Sequence, residues 1–284
     1  MPEPNPDLKL DSSTQLAGVL GYPVRHSLSP AMHNAAFRSL GLNWVYLAFE
    51  VPPDLLPQAI AGMRGLGIQG LNLTIPHKEA VIPLLDGLTD AAEQIGAVNT
   101  LFWDGGRLLG DNTDAEGFLR AVREAGVKPA GQTVLILGAG GAARAVAYAL
   151  ANTNCRLIIA NRTLERAVAL AEAFDAEATE MTPESLRRVL PTVDGIVNCT
   201  SLGMAPHTET TPPIEWSVVR DTAWVCDLVY RPLQTRLLSE AAARRLKIID
   251  GLGMLVHQGA LAFERWTGLP APVEAMRRAL TPRD

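Results

Sequence analysis

The chain has 284 residues, 48% of them hydrophobic and 19% charged, with 25 basic against 30 acidic side chains and a formal net charge of −5. This composition excludes global disorder, and the length suits two domains of about 100–150 residues each. Slight acidity without any basic block argues against nucleic acid as a partner, and no apolar run approaches the roughly 18 residues a membrane helix needs.

The opening segment MPEPNPDLKLDSSTQ carries three prolines and no apolar stretch, so it reads as a frayed leader and not as a secretion signal. Short β-rich runs then alternate with helical patterns, which predicts α/β layering. Strands are expected at Leu16–Leu20, Trp44–Val51 and Ile68–Leu73, with shorter ones near Val98–Phe102 and Arg107–Leu109. A helix lies between the first two, with Ser29 placed to cap it, Pro30 in its first turn and Gly41 at its end. Further helices are expected over Asp54–Met63 and Pro76–Leu85.

A helix over Asp114–Ala125, stopped by Gly126, opens the second half. Strands Thr133–Leu137, Arg156–Ala160, Gly195–Cys199, Trp224–Leu228 and Lys247–Ile249 follow, with helices Ala142–Ala151, Leu164–Phe174 and Thr235–Arg245 among them. That succession predicts a Rossmann-type, doubly wound parallel sheet over residues 113–251. Met254–Trp266 and Val273–Leu280 read as helices. Residues 252–284 are expected to pack back onto a first α/β domain of residues 1–112, with a cleft between the two domains. The stretch from Ala176 to Leu190 yields no assignment.

Cys155, Cys199 and Cys226 are odd in number and isolated, which speaks against both a disulfide framework and a zinc site. No histidines and carboxylates share metal-ligand spacing, so no metal is expected. The five tryptophans are scattered and read as core or interface, not as a stacking platform. A soluble, cytoplasmic protein is the expectation.

The strand Thr133–Leu137 runs into Gly138-Ala139-Gly140-Gly141-Ala142-Ala143, a glycine turn that opens a helix. Gly138 permits a tight turn, Gly140 lets backbone approach a pyrophosphate, and Ala143 is small enough for close helix–strand packing. The helix start then offers N–H groups and a positive dipole end to phosphate. After the next strand an NAD-selective site places a carboxylate for the ribose 2′-OH. This chain instead has Asn161-Arg162-Thr163, with Arg166 one turn on, a set suited to a 2′-phosphate; NADP is the predicted cofactor.

Only four of the 25 basic residues are lysines, at positions 9, 78, 128 and 247, so a lysine inside a motif invites a chemical explanation. Lys78 closes the cluster Asn72-Leu-Thr74-Ile-Pro-His-Lys78; the other polar clusters of this half surround Ser27 and Ser29, Asn99, and Asn112-Thr-Asp114. Their hydroxyls and amides both donate and accept, which suits a small polyhydroxylated substrate.

The motifs GYPVRHSLSPAMHN, NLTIPHK, GAVNT, NTD, GAGGAARA, NRT, NCTSLGM, DLVYRP and GMLVHQGA, in that order, resemble the shikimate dehydrogenase family from about Gly18 to Trp266. The resemblance implies NADP-linked interconversion of shikimate and 3-dehydroshikimate, a step of the shikimate pathway of aromatic amino-acid biosynthesis. It implies that Ser27, Ser29 and Tyr230 hold the substrate carboxylate, and that Thr74, Lys78, Asn99, Asp114 and Gln258 hold the ring hydroxyls. It also implies a cofactor role for Gly138–Ala143, Asn161, Arg162, Thr163 and Arg166, with Thr200, Met204 and Gly251 on the nicotinamide side.

The chemistry itself requires a base, because a carbinol carbon gives up hydride only as its hydroxyl proton leaves. Lys78 is expected to move that proton, with Asp114 orienting it and binding the same hydroxyl. Each has a plainer reading: Lys78 as a surface cation, Asp114 as a helix cap or first-turn acid. His26, His33 and His77 read as scaffold or exposed, and His77 is the one to examine. Two alternatives stay open: a quinate/shikimate dehydrogenase with broader substrate or NAD use, and a non-catalytic NADP(H)-sensing regulator. A homodimer is the expected assembly, with a monomer close behind.

Overall fold

The structure, a computed structural model, describes residues 10–280. It divides into two units: one runs to Thr113 and resumes at Gln258, and the other is Asp114–His257. The return into the first unit thus lies at Gln258, beyond the residue 252 read from the sequence.

The first unit contains β1 (Gln15–Gly21), α1 (Ser29–Ser39), β2 (Trp44–Glu50), α2 (Leu56–Gly65), β3 (Gly70–Leu73), α3 (His77–Ala80), β4 (Gly87–Leu88), α4 (Asp90–Ile95), β5 (Thr100–Asp104) and β6 (Arg107–Asp111). Its sheet runs β2-β1-β3-β5-β6-β4. The helical crossovers make β1 parallel to β2 and β3, whereas β5 lies antiparallel to β3 and β6. The β5–β6 hairpin closes on Gly105 and Gly106, with φ of 55° and 81°, the two positive values that a tight hairpin loop requires. Leu20, Leu71, Leu73, Val98 and Leu101 pack against Ile60 and Met63 of α2.

The second unit starts with α5 (Asp114–Glu124) and continues β7 (Thr133–Leu137), α6 (Gly141–Ala151), β8 (Arg156–Asn161), α7 (Leu164–Ala173), β9 (Glu177–Glu180), α8 (Pro183–Val189), β10 (Gly195–Asn198), β11 (Trp224–Asp227), α9 (Arg236–Ala243) and β12 (Lys247–Ile249). The chain ends in α10 (Gly251–Thr267) and α11 (Val273–Arg278). Every pairing in the order β12-β11-β10-β7-β8-β9 is parallel, so this is a doubly wound sheet. Its inner strands β7, β8, β10 and β11 are largely apolar and buried, as expected where helices cover both faces.

Several elements depart from the sequence reading. Of the expected frayed leader, residues 1–9 lie outside the described residues. Residues 11–14 form a turn, in which Thr14 Oγ1 and the Asp11 carboxylate bond to the Asn43 amide. Ser29 is not the cap of α1: that place falls to Leu28, and the nearby Ser27 Oγ accepts from Ser29 N at 3.3 Å. The helix expected over Pro76–Leu85 is only α3 plus a 3-10 turn at Ile82–Leu84, since Pro83 has no N–H to continue it. Elements β4, α4, β9 and α8 had no counterpart in the expectations; Thr89 and Thr182 cap the two helices through their side chains. Among the described residues no helix is long and apolar enough to cross a membrane, and no group of three His, Cys, Asp or Glu is arranged to hold a metal ion.

Candidate active site

In the second unit the glycine turn sits where the strand order reverses, at the carboxyl end of β7 between β8 and β10. Open α/β sheets bind ligands outside such a switch point. Gly138 has a φ of 109°, and a Cβ there would lie 3.2 Å from Thr200 Cγ2 and 3.3 Å from the Cys199 carbonyl group, so the turn passes flush against the loop after β10. A Cβ on Gly140 would meet nothing within 4 Å, which leaves open space in front of the turn. Gly140 is also the cap of α6 and brings no side chain to its first N–H groups. Ala139 and Ala143 are buried, while Gly141 and Ala142 are half-buried at the helix start.

At the end of β8, Asn161 is half-buried and donates from Nδ2 to the Thr163 carbonyl at 2.9 Å, shaping the loop around exposed Arg162 and Thr163. Arg166 reaches back to the Ala139 carbonyl at 3.5 Å, so one guanidinium links the glycine turn to the Asn161-Arg162-Thr163 segment. This segment carries no carboxylate, and the donor set fits a phosphorylated ribose.

Thr200 accepts from Leu202 N and donates to Asn198 Oδ1 at 2.6 Å. Asn198 in turn donates to Asp227 Oδ1 at 2.9 Å, and Asp227 also accepts from Thr235 Oγ1 at 2.7 Å and Val229 N at 3.0 Å. Asp227 is fully buried, and burial raises its carboxyl above the ordinary 3.8. It ties the loop of Thr200 and Met204 to the loop of Tyr230, yet the sequence reading did not single it out. The available signal was a carboxylate inside the otherwise apolar strand WVCD. Gly251 lies against this second loop, where a Cβ would come 2.5 Å from the Leu228 carbonyl oxygen. Asp114 is buried in the first turn of α5. Burial pushes the Cys199 and Cys226 thiols up, which leaves them un-ionised and poor nucleophiles.

In the first unit the loops after β1 and β3 lie together. Thr74 N donates to Leu20 O at 2.9 Å and Tyr22 N to Ile75 O at 3.0 Å; a Cβ on Gly21 would sit 2.4 Å from Thr74 Cγ2. This brings the segment bearing Ser27 and Ser29 beside the one bearing Thr74 and Lys78. Lys78 is half-buried in α3, and its carbonyl accepts from Val98 N at 2.8 Å, which ties that helix to the approach of Asn99. Asn99 is 2% exposed and donates to Thr113 Oγ1 at 2.9 Å and to Gln258 Oε1 at 3.4 Å, so the strand end and α10 converge here. His77 is scaffold: its Nε2 bonds to the Val51 carbonyl at 2.8 Å. His33 is fully buried within α1.

Residues 19–101 match the shikimate dehydrogenase substrate binding domain, 121–207 match shikimate/quinate 5-dehydrogenase, and 251–281 match the shikimate 5′-dehydrogenase C-terminal domain. A relative from Moorella thermoacetica, named shikimate dehydrogenase (NADP(+)), is 50% identical over 96% of this chain and 95% of its own. The chain belongs to the shikimate dehydrogenase family. Solved family structures agree in fold. The Aquifex aeolicus shikimate dehydrogenase has a TM-score of 0.89 at 41% identity, covering 96% of this chain and all of its own. The Thermus thermophilus enzyme, solved with NADP(H) and shikimate, has a TM-score of 0.85 at 43% identity, covering 94% and 98%.

Proposed function

We propose that this member of the family interconverts shikimate and 3-dehydroshikimate with NADP(H) as the hydride carrier. The observation that carries the reading is end-to-end likeness: half of all aligned positions are identical across 96% of the chain to a shikimate dehydrogenase (NADP(+)). In this reading hydroxyl, amide and amine side chains hold the polyol acid. Ser27, Ser29 and Tyr230 receive its carboxylate, and Thr74, Asn99 and Gln258 its ring hydroxyls. The second unit takes the dinucleotide: Gly138–Ala143 at the pyrophosphate, Asn161, Arg162, Thr163 and Arg166 at the 2′-phosphate, and Thr200, Met204 and Gly251 toward the nicotinamide.

Bound there, the nicotinamide supplies the two-electron chemistry by accepting or returning hydride. The protein handles the proton. As hydride leaves the carbinol carbon, the oxygen on that carbon must lose its proton or the product would be a protonated ketone. Lys78 takes that proton through its amine and returns it in reverse, while Asp114 accepts a hydrogen bond from the same hydroxyl and keeps it oriented.

Steady-state oxidation of shikimate and of quinate, each with NADP⁺ and with NAD⁺, tests the assignment. Shikimate with NADP⁺ is expected to give the highest kcat/KM, and Lys78→Ala to lower kcat by roughly 10²–10⁴-fold while shikimate still binds. Absence of shikimate oxidation with either nucleotide, or near-normal turnover by Lys78→Ala, refutes it.

A further inference from the structure

Three polar side chains without solvent exposure, Asn198 at the end of β10, Asp227 at the end of β11 and Thr235 just before α9, join half-buried Thr200 in one hydrogen-bonded group. Main-chain groups, whose roles are fixed, settle the direction of its bonds. Thr200 N donates to Asn198 Oδ1 at 3.1 Å, so the Asn198 NH₂ faces Asp227 Oδ1 at 2.9 Å and Leu202 O at 3.3 Å. Thr200 Oγ1 takes Leu202 N at 3.1 Å and gives its own hydrogen to Asn198 Oδ1. Thr235 Oγ1 takes Leu238 N at 3.3 Å and gives its hydrogen to Asp227 Oδ2. Asp227 Oδ1 accepts Val229 N at 3.0 Å as well. A single carboxylate oxygen therefore holds both the loop that starts at Cys199 and the loop that starts at Leu228.

Main-chain bonds tie these two loops to each other near their ends. Leu228 N donates to Asn198 O at 3.0 Å, and Ala205 N to Arg231 O at 3.0 Å. Between those ties, Thr200 N, Thr200 Oγ1 and Leu202 O all bond to the Asn198 amide, so its placement sets theirs. The glycine turn is anchored elsewhere, with Gly138 N donating to Ala160 O at 2.7 Å.

We propose that Asn198 and Asp227 are positioning residues for hydride transfer. The amide holds the segment of Thr200 and Met204, and the carboxylate locks that segment to the loop of Tyr230. The inference rests on the reading of Thr200 and Met204 as nicotinamide-side residues and of Tyr230 as a substrate contact. Its consequence is a division of labour. The glycine turn and Asn161–Arg166 grip the phosphates and set affinity for the dinucleotide, whereas the buried pair sets how the nicotinamide meets the carbinol carbon. Hydride passes only at near-attack geometry, so a small displacement slows the step while the phosphates stay bound.

The test compares full-length Asn198→Ala, Asp227→Ala and Asp227→Asn with wild type. Hydride transfer is timed in single turnovers by NADPH absorbance, with shikimate and with shikimate deuterated at the reacting carbon. The Kd of NADP⁺ and of shikimate and the melting temperature are measured alongside. Asn198→Ala is expected to slow hydride transfer roughly 10–100-fold, with an isotope effect on that step, and to leave both Kd values within about threefold. Asp227→Ala also releases Val229 N and is expected to weaken shikimate about 3–10-fold besides; should it fail to fold, Asn198→Ala carries the test. Asp227→Asn keeps an oxygen for Asn198 and Val229 and is expected to transfer hydride within about threefold of wild type. A wild-type hydride rate in Asn198→Ala, or an Asp227→Asn enzyme as slow as a folded Asp227→Ala, overturns the inference alone. So does a parallel decline of hydride rate, both affinities and melting temperature, which is what a merely structural role produces. A wild-type protein that does not oxidise shikimate overturns it together with the function on which it rests.

Discussion

Acid is expected to destabilise this protein through one buried histidine whose ring nitrogens make no hydrogen bond. His33 sits on the inward face of α1 with no solvent exposure, and neither ring nitrogen has a hydrogen-bond partner in the protein. Its ring stacks on Tyr46 at 4.3 Å between centroids and 9° between planes, with Phe37 and Trp266 at 6.3 and 5.3 Å. An imidazolium there would be a desolvated, unpaired charge, so burial lowers the pKa from 6.5 to about 3. Below pH 6.5 the unfolded chain binds a proton that the folded chain refuses, and stability is lost as pH falls through the window from 6.5 to 3. At pH 5 the loss from this group alone is about 2 kcal/mol, a ~30-fold change in the folding constant. His33→Leu keeps a similar volume and removes the titration. Denaturant unfolding of both proteins at pH 7.5 and at pH 5 gives the double difference, in which the carboxylates common to both cancel. Wild type is expected to lose about 2 kcal/mol more than the variant over that interval. Equal losses, within about 0.5 kcal/mol, would refute the reasoning whatever the variant's stability at neutral pH.

Arg162→Ala is expected to raise the KM for NADP⁺ by roughly 10–100-fold while leaving that for NAD⁺ within about threefold, because only the former has a 2′-phosphate for the guanidinium to meet. Equal changes for the two nucleotides in initial-rate measurements would count against the assignment. Asp227→Ala strands three donors in a buried site, Thr235 Oγ1, Asn198 Nδ2 and Val229 N, and is expected to cost about 3–5 kcal/mol in urea unfolding. Asp227→Asn keeps the shape and is expected to cost less. Since burial raises the Asp227 pKa, the unfolded carboxyl ionises first as pH climbs above 3.8, and wild type loses stability relative to Asp227→Asn over that climb. Gly70→Ala sets a Cβ 2.1 Å from Trp266 Nε1, which donates to the Leu101 carbonyl. A loss of about 1–3 kcal/mol with a changed tryptophan near-ultraviolet signal is expected, and an unaltered melting curve would show that the indole moves aside freely.

What could be read from the sequence follows from how strongly each segment is buried. The inner strands of the second sheet are apolar and buried, so Thr133–Leu137 stands out in the chain as clearly as in the fold. Edge strand β9 is Glu177-Ala-Thr-Glu180, half-exposed and without any apolar signal, and only its pairing with β8 makes it a strand. Ser29 has the right chemistry for a cap and the right neighbour in Pro30, but the chain enters the helix one residue earlier, and a propensity cannot register a shift of one residue. The glycine turn was legible because a conformational need maps onto a residue type: Gly138 takes a φ of 109°.

The buried polar residues that hold the loops were harder to see because their signal is a contrast and not a motif. Asn72 in Gly-Leu-Asn-Leu, Asn198 in Gly-Ile-Val-Asn and Asp227 in Trp-Val-Cys-Asp each put one strongly polar group into a fully buried strand. Leaving such a group unpaired costs on the order of 1–3 kcal/mol, so its presence in a core implies partners the sequence does not name. Each of the three has them: Tyr46 and Thr100 for Asn72, Thr200 and Asp227 for Asn198, Thr235 for Asp227. Each lies in a strand whose following loop carries a proposed ligand contact, Thr74 after Asn72, Thr200 after Asn198, Tyr230 after Asp227. A polar residue near the carboxyl end of an apolar strand is therefore a usable marker in this chain: it shows which strand ends hold their loops by buried hydrogen bonds, and so which loops are rigid enough to place a functional group.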